Sequence, residues 1–284
     1  MRYQFSIDRP HTQGRGLALA VVALISLGVV GYAFAACGDR NPDRANAGEP
    51  VVTTPTPIPA PPTPAEPSKP APTTASEFYM VGRTAWKAGD FARAESAFVQ
   101  AIALDSTHVR SRLYLSRVLI ESGRAGDALQ HIEAAVALDT TSSEPLRLLG
   151  RAYEVLGRSD EAIDAYKRSI VKNSEDVWSL NNLGSLYIKL GRSEDALGPI
   201  ARAVELEKSV AIFHNNLGTA LEKTGHFTAA AEAYRAALAA DSTFGPATTN
   251  LSRVEQLKED PAAQPVDLAG LAKTFVDQIG SWKQ

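Results

Sequence analysis

Residues 181–197 read NNLGSLYIKLGRSEDAL, and residues 215–231 read NNLGTALEKTGHFTAAA, the same pattern displaced by 34 positions. Followed outward, the pattern runs through most of the chain. Gly191 and Gly225 extend a series that begins at Gly89, Gly123 and Gly157, and Ala196 and Ala230 extend one that begins at Ala94, Ala128 and Ala162. A third series of small residues, Gly82, Ser116, Gly150, Gly184 and Gly218, keeps the same step. Between these positions the apolar residues recur at helical spacing. A fixed period with two helical segments per unit predicts helix–turn–helix units stacked into an all-α array, each touching only its neighbours.

Each series has a mechanical reading. A glycine between two helical segments sits where the first helix must stop, because glycine enters the left-handed region without a Cβ clash. The alanine five residues later lets the second helix approach the first, and the Gly82 series supplies the facing contact. Larger side chains fill the seam: Val81, Leu115, Leu149, Leu183 and Leu217 on the first helix, then Phe98, Ile132, Tyr166, Ile200 and Tyr234 on the second.

On these residues the chain resembles the tetratricopeptide repeat family. Five units fall at 75–108, 109–142, 143–176, 177–210 and 211–244, in one register. The resemblance implies a right-handed α-solenoid whose first helices line a binding groove. One departure is the proline usual near the end of each unit, replaced here by Ser106, Thr140, Ser174, Lys208 and Ser242; the neighbouring polar residues are expected to form the turn instead. Another is Gly198 and Pro199 inside a second helix, where proline removes a backbone bond and predicts a kink or a late start.

Residues 245–260 continue the pattern for one more helix, a cap for the open end of the array. Residues 266–282 then place Leu268, Leu271, Ala272, Phe275, Ile279 and Trp282 on one helical face behind Asp267 as N-cap. This tail is expected to dock on the last repeat, with self-association or occupation of the groove as alternatives.

The first 74 residues differ in kind. Leu17 to Ala36 is an uncharged apolar run of 20 residues, preceded by Arg2, Arg9 and Arg15, so it is long enough to span a bilayer with the N-terminus in the cytoplasm and the repeats outside. Cys37, the single cysteine, follows at once, and AFAAC resembles the lipobox of bacterial lipoproteins, which implies lipidation of Cys37. Three readings of residues 1–37 stay open: a lipoprotein signal, an uncleaved anchor, and a cleaved secretory signal. Residues 38–74 hold 11 of the 17 prolines and read as a disordered, extended linker. At about 3.1 Å per residue it reaches ~110 Å.

A net charge of −3 with 21 % charged residues carries no sign of a nucleic-acid protein. The five histidines are scattered, and neither a phosphate loop nor a nucleophile motif is present, so no enzyme, metal or cofactor is expected. Binding candidates come from the first helices. Arg83, Arg117 and Arg151 form one series, beside Tyr79, Met80, Trp86, Leu113, Tyr114 and Arg147; Asn182, Asn216 and Asn250 form a second, flanked by Asn181, Asn215, Lys189 and Lys223. Amide side chains carry a donor and an acceptor and can hold the backbone of an extended peptide. The asparagine series resembles the ladder lining the repeats of O-linked N-acetylglucosamine transferases. The arginines favour a carboxylate on the partner. Both series also admit a structural reading: asparagines that brace neighbouring repeats, arginines that pair with Glu144 and Glu154. Glu121, Glu144, Glu154 and Glu222 read as solvated faces. A chaperone-type carboxylate clamp does not fit, since Arg151 and Ile212 replace two of its residues.

These features predict a non-enzymatic adaptor for envelope proteins or peptides, held on the extracytoplasmic side of a bacterial membrane. By resemblance, lipoproteins of this build serve pilus assembly, outer-membrane protein assembly or recruitment of peptidoglycan enzymes. The alternative is an accessory subunit that holds a catalytic partner in an envelope complex for cytochrome maturation or glycan synthesis.

Overall fold

The computed structural model describes residues 71–262 and 264–282. The apolar run 17–36, Cys37 and nearly all of the proline-rich stretch lie outside them. The described residues form twelve α-helices and no strand. Five hairpins come first: α1 (Ala75–Lys87) with α2 (Phe91–Leu104), α3 (Val109–Glu121) with α4 (Ala125–Leu138), α5 (Glu144–Val155) with α6 (Ser159–Lys172), α7 (Val177–Lys189) with α8 (Ser193–Leu206), and α9 (Ala211–Lys223) with α10 (Phe227–Ala240). Then follow α11 (Gly245–Val254) and α12 (Leu268–Ser281).

The turns are set by local chemistry. Each hairpin turns on its glycine, with φ from +74° at Gly157 to +85° at Gly225, a conformation that a Cβ would strain. Between hairpins, polar side chains form the turns, as expected where the family's usual proline is missing. Asp105, Asp139 and Asp241 accept the backbone N–H and the hydroxyl of Thr107, Thr141 and Thr243, and Glu207 does the same for Ser209. Asn173 accepts the N–H of Glu175. These are side-chain turns closed two residues on.

The seam within each hairpin explains the third small-residue series. A Cβ on Gly82, Gly150 or Gly218 would lie 2.6 Å from the ring of Phe98, Tyr166 or Tyr234, and one on Gly184 would collide with Ile200. The backbone of the first helix thus rests directly on the large side chain of the second. Seam partners are also matched in polarity. Glu154 and Glu222 accept from the hydroxyls of Tyr166 and Tyr234 at 2.9 and 2.8 Å, whereas the same columns hold Ile120 with Ile132 and Ile188 with Ile200. A phenol buried at the seam needs an acceptor, and a methyl there needs none.

Successive first helices touch one another along the array, and successive second helices do not. The first helices therefore form the inner face of the stack. The ends are closed differently. In α1 the positions that pack on a preceding unit elsewhere carry Glu77 and Thr84, and Glu77 completes a capping box with Thr74. At the other end α11 lies on α10 and presents Thr248, Thr249 and Ser252 outward.

Two expectations need correction. Of the kink or late start expected at Gly198 and Pro199, the late start does not occur: α8 is continuous from Ser193 to Leu206 with Pro199 inside it. The tail does not dock on the last repeat or enter the groove. It folds back onto α8 and, more lightly, α6, on the side away from the inner face. Its six apolar residues are the docking face, and Asp267 caps it by accepting the Gly270 N–H at 2.9 Å. The reason lies in α8. Elsewhere the outward positions of the second helices carry Ser96, Gln130, Asp164 and Glu232, then Val99, Glu133, Lys167 and Arg235; α8 alone offers Gly198 and Ala201 there, beside Leu197. A Cβ on Gly198 would come within 3.0 Å of the Phe275 Cβ, so glycine at this position admits the tail. Trp282 ends the contact, edge-on to Phe275 and with the Lys167 ammonium 4.9 Å from its ring centre.

Candidate functional site

The inner face is a surface two columns wide, running from α1 to α11. One column is Met80, Tyr114, Leu148, Asn182, Asn216 and Asn250; the other is Arg83, Arg117, Arg151, Ser185, Thr219 and Arg253. Helical spacing places each pair one turn apart on its helix. The first half is aromatic and cationic, the second amide and hydroxyl.

The structure spends most of the charges within the array. Arg117 is 5 % exposed and donates to Glu144 of the next unit at 2.6 Å, while its guanidinium lies 5.0 Å from the Tyr114 ring centre. Arg147 stands 3.3 Å from Asp176. Glu154 gathers Arg151 at 3.6 Å, Lys189 and the Tyr166 hydroxyl. Glu222 accepts two bonds from Arg253, at 2.7 and 2.8 Å. Burial by itself would raise the Glu222 carboxyl, but the bonds from Arg253 and Tyr234 hold it below the ordinary range. Glu121 accepts the Trp86 indole N–H at 3.2 Å; burial raises its carboxyl despite that bond. The glutamates expected to be solvated faces are thus acceptors that tie helix to helix.

The asparagines divide. Asn216 donates to Asn181 at 2.9 Å and Asn250 donates to Asn215 at 3.0 Å, each reaching back to the preceding unit. Their carbonyl oxygens accept nothing from the described residues. Asn182 has Arg147 where its fellows have an asparagine, and its amide makes no hydrogen bond at all within the described residues. Lys223 is exposed beside Glu222.

Five expected groove residues prove to be interior: Tyr79, Leu113, Arg117, Asn181 and Asn215. Tyr79, 7 % exposed, packs against Phe98, His108 and Tyr114, because its column faces the next unit, as Leu113, Asn181 and Asn215 do. Arg117 is buried under Tyr114 and Glu144. Trp86 and Tyr114 meet edge-on at 5.4 Å and remain half-buried on the face, next to Met80 at 53 % exposure. Sequence reasoning offered Glu144 and Glu154 as arginine partners but missed Asp176, Glu222, and the bonds of Trp86 to Glu121 and of Lys189 to Glu154 as cross-links. Their signal was a spacing near one period from a cation or an indole, as in 86 with 121 and 154 with 189.

Among the described residues no helix is long and apolar enough to cross a membrane, and no group of His, Cys, Asp and Glu is placed to hold a metal ion.

Two family models described as tetratricopeptide repeat match the chain, one over residues 79–143 and 181–243 and the other over 119–180, so that together they cover more than half of it. A thermophilic tetratricopeptide repeat protein of Thermus thermophilus superposes with a TM-score of 0.57 at 18 % identity, over 65 % of this chain and 100 % of that one. A tetratricopeptide repeat protein of Parabacteroides merdae gives 0.53 at 14 % identity, over 73 % and 79 %. The crystal structure of MamA gives 0.50 at 25 % identity, over 58 % and 96 %. No curated protein matches the chain.

Proposed function

The chain belongs to the tetratricopeptide repeat family, whose members are protein-interaction adaptors, and from that premise we propose that it is a non-enzymatic adaptor that holds an extended segment of a partner protein along its inner face. The observation that carries this reading is the unspent hydrogen-bonding capacity of one column: the whole amide of Asn182 and the carbonyl oxygens of Asn216 and Asn250. Bracing fixes the orientation of the last two amides, so their acceptors stand ready for backbone N–H groups of a bound segment. The outer face is a poorer candidate around units three and four, because α12 covers it. We further propose that the adaptor acts outside the cytoplasm of a bacterial cell, tethered through residues 17–37, with envelope proteins as partners; support for this is the apolar run, its arginine flank and Cys37.

The test is cross-linking in cells with the full chain carrying a photoreactive residue at Ser185 or, as a control, at Lys273 on the exposed side of α12. Discrete adducts are expected from position 185 and none in common from 273. Replacing Asn182, Asn216 and Asn250 by Ala removes about 0.5–1.5 kcal/mol per lost bond and should cut the yield from 185 at every salt concentration. Equal yields from the triple variant, with melting unchanged, would refute the reading.

A further inference from the structure

Arg83 and Arg117 hold the same place in successive units, and the array treats them oppositely. Arg117 closes on Glu144, at the start of the next first helix, at 2.6 Å. One unit earlier the residue in the place of Glu144 is Arg110. Arg83 therefore has a second guanidinium where its counterpart has a carboxylate. It makes no ion pair or hydrogen bond within the described residues, and its Nε is buried without a partner there. Arg110 is exposed and makes no ion pair within the described residues either. The register of Arg117 and Glu144 one unit on puts the two cations at one corner of the inner face, and both favour ionisation of the nearby Tyr79 hydroxyl, whose pKa burial nonetheless raises. The acidic groups of this end are engaged elsewhere: Glu77 in its capping box, Asp105 by Thr107, Glu121 by Trp86. Met80 and Tyr114 supply an apolar margin to the corner.

We infer that Arg83 and Arg110 form a carboxylate-binding site, which takes an acidic side chain or the free C-terminus of the segment bound along the inner face. An incoming carboxylate supplies what Glu144 supplies one unit on, accepting two N–H bonds from a guanidinium fork. The residue beside that carboxylate is apolar or aromatic, to lie on Met80 and Tyr114. The site also gives the bound segment a direction, its acidic group at units one and two and its remaining backbone running toward Asn182, Asn216 and Asn250. This inference rests on the proposed use of the inner face.

The experiment uses the full chain on a microarray of random dodecapeptides. Each is printed tethered by its N-terminus, leaving a free C-terminal carboxylate, and tethered by its C-terminus. Each is also printed with Asp and Glu replaced by Asn and Gln. The informative variant is Arg110→Glu, which rebuilds the Arg117–Glu144 arrangement one unit earlier; Arg83→Gln is the second. Wild type is expected to bind acidic spots at least 10-fold more strongly than their amide counterparts, or N-tethered spots over C-tethered ones if the C-terminus is the source. Arg110→Glu should melt no lower than wild type and lose that preference entirely, and Arg83→Gln should lose most of it. A preference that survives in both variants overturns the site, and so does the absence of any preference in wild type. The Asn182→Ala, Asn216→Ala, Asn250→Ala variant separates the two ideas: loss of all spots regardless of charge upholds the inner-face reading, whereas full binding with the charge preference intact sinks that reading and leaves the corner standing alone.

Discussion

Gly150 touches the Tyr166 ring with its backbone, and the hydroxyl of that ring needs Glu154, so three residues of one hairpin are fixed by a single phenol. Gly150→Ala puts a methyl 2.6 Å from a fully buried ring, so that one of the two must shift. Overpacking of this kind costs about 1–3 kcal/mol, well above the small gain in helix propensity that alanine brings. The control is Gly126→Ala, near the start of α4, where a Cβ meets nothing within 4 Å and the φ is ordinary; it should be neutral or stabilising by up to about 1 kcal/mol. Urea unfolding of the two variants checks the pair, and equal midpoints would show that the seam relaxes freely. At this scale much was legible. The turn glycines and the small-residue series could be read from their period alone. The match of Glu154 and Glu222 with tyrosine, and of isoleucine with isoleucine, was present in the same columns but meaningless until the columns were known to face each other.

The tail helix shows where a sequence stops short. Its apolar face and its Asp267 cap were legible, because both follow from spacing within one element. Its dock was not, because Gly198 and Pro199 read locally as a defect in α8, and only the folded chain shows Gly198 as a seat for Phe275. Docking predicts coupled losses from both sides of the contact. Phe275→Ala removes a buried ring, a change that costs about 3–5 kcal/mol in a full core and is bounded here by the docking energy of one helix. Gly198→Leu should release the same helix by filling its seat. In both variants hydrogen exchange over 268–281 should rise sharply while α1 to α5 keep wild-type protection. Unchanged exchange in the Gly198→Leu protein would mean that the tail is held by α6 and Trp282 instead.

Across the whole molecule, polar cross-links tie each first helix to the next on the inner face, and one helix ties two units together behind. A solenoid gains stiffness from such nearest-neighbour links, since each unit contacts only its neighbours. The legible part of the inner face was its chemistry by halves; what could not be read was which charges remain free, because Arg117 and Arg83 are identical in sequence register and differ only in what the next unit offers. The far end of the chain carries the last prediction. If the adaptor is tethered as proposed, residues 1–37 decide how, and the three readings differ in mass and in lipid. Cys37 follows two alanines and precedes a glycine, the small-residue setting that resembles a lipobox. Lipidation predicts a mature protein that begins at Cys37, takes up a fatty-acid probe and partitions into detergent, and a Cys37→Ala protein that keeps its full leader and takes up none. A wild-type protein that retains Met1 in the membrane fraction would instead identify an uncleaved anchor, with Leu17 to Ala36 as its span, and a soluble mature form lacking the apolar run would identify a cleaved secretory signal. The proposed use of the inner face is common to all three readings, and in the two tethered ones a stretch the length of residues 38–74, at about 3.1 Å per residue, would confine binding to within ~110 Å of the membrane. Shortening residues 38–74 by half should therefore reduce cross-linking from Ser185 to membrane-distant partners and spare those at the bilayer.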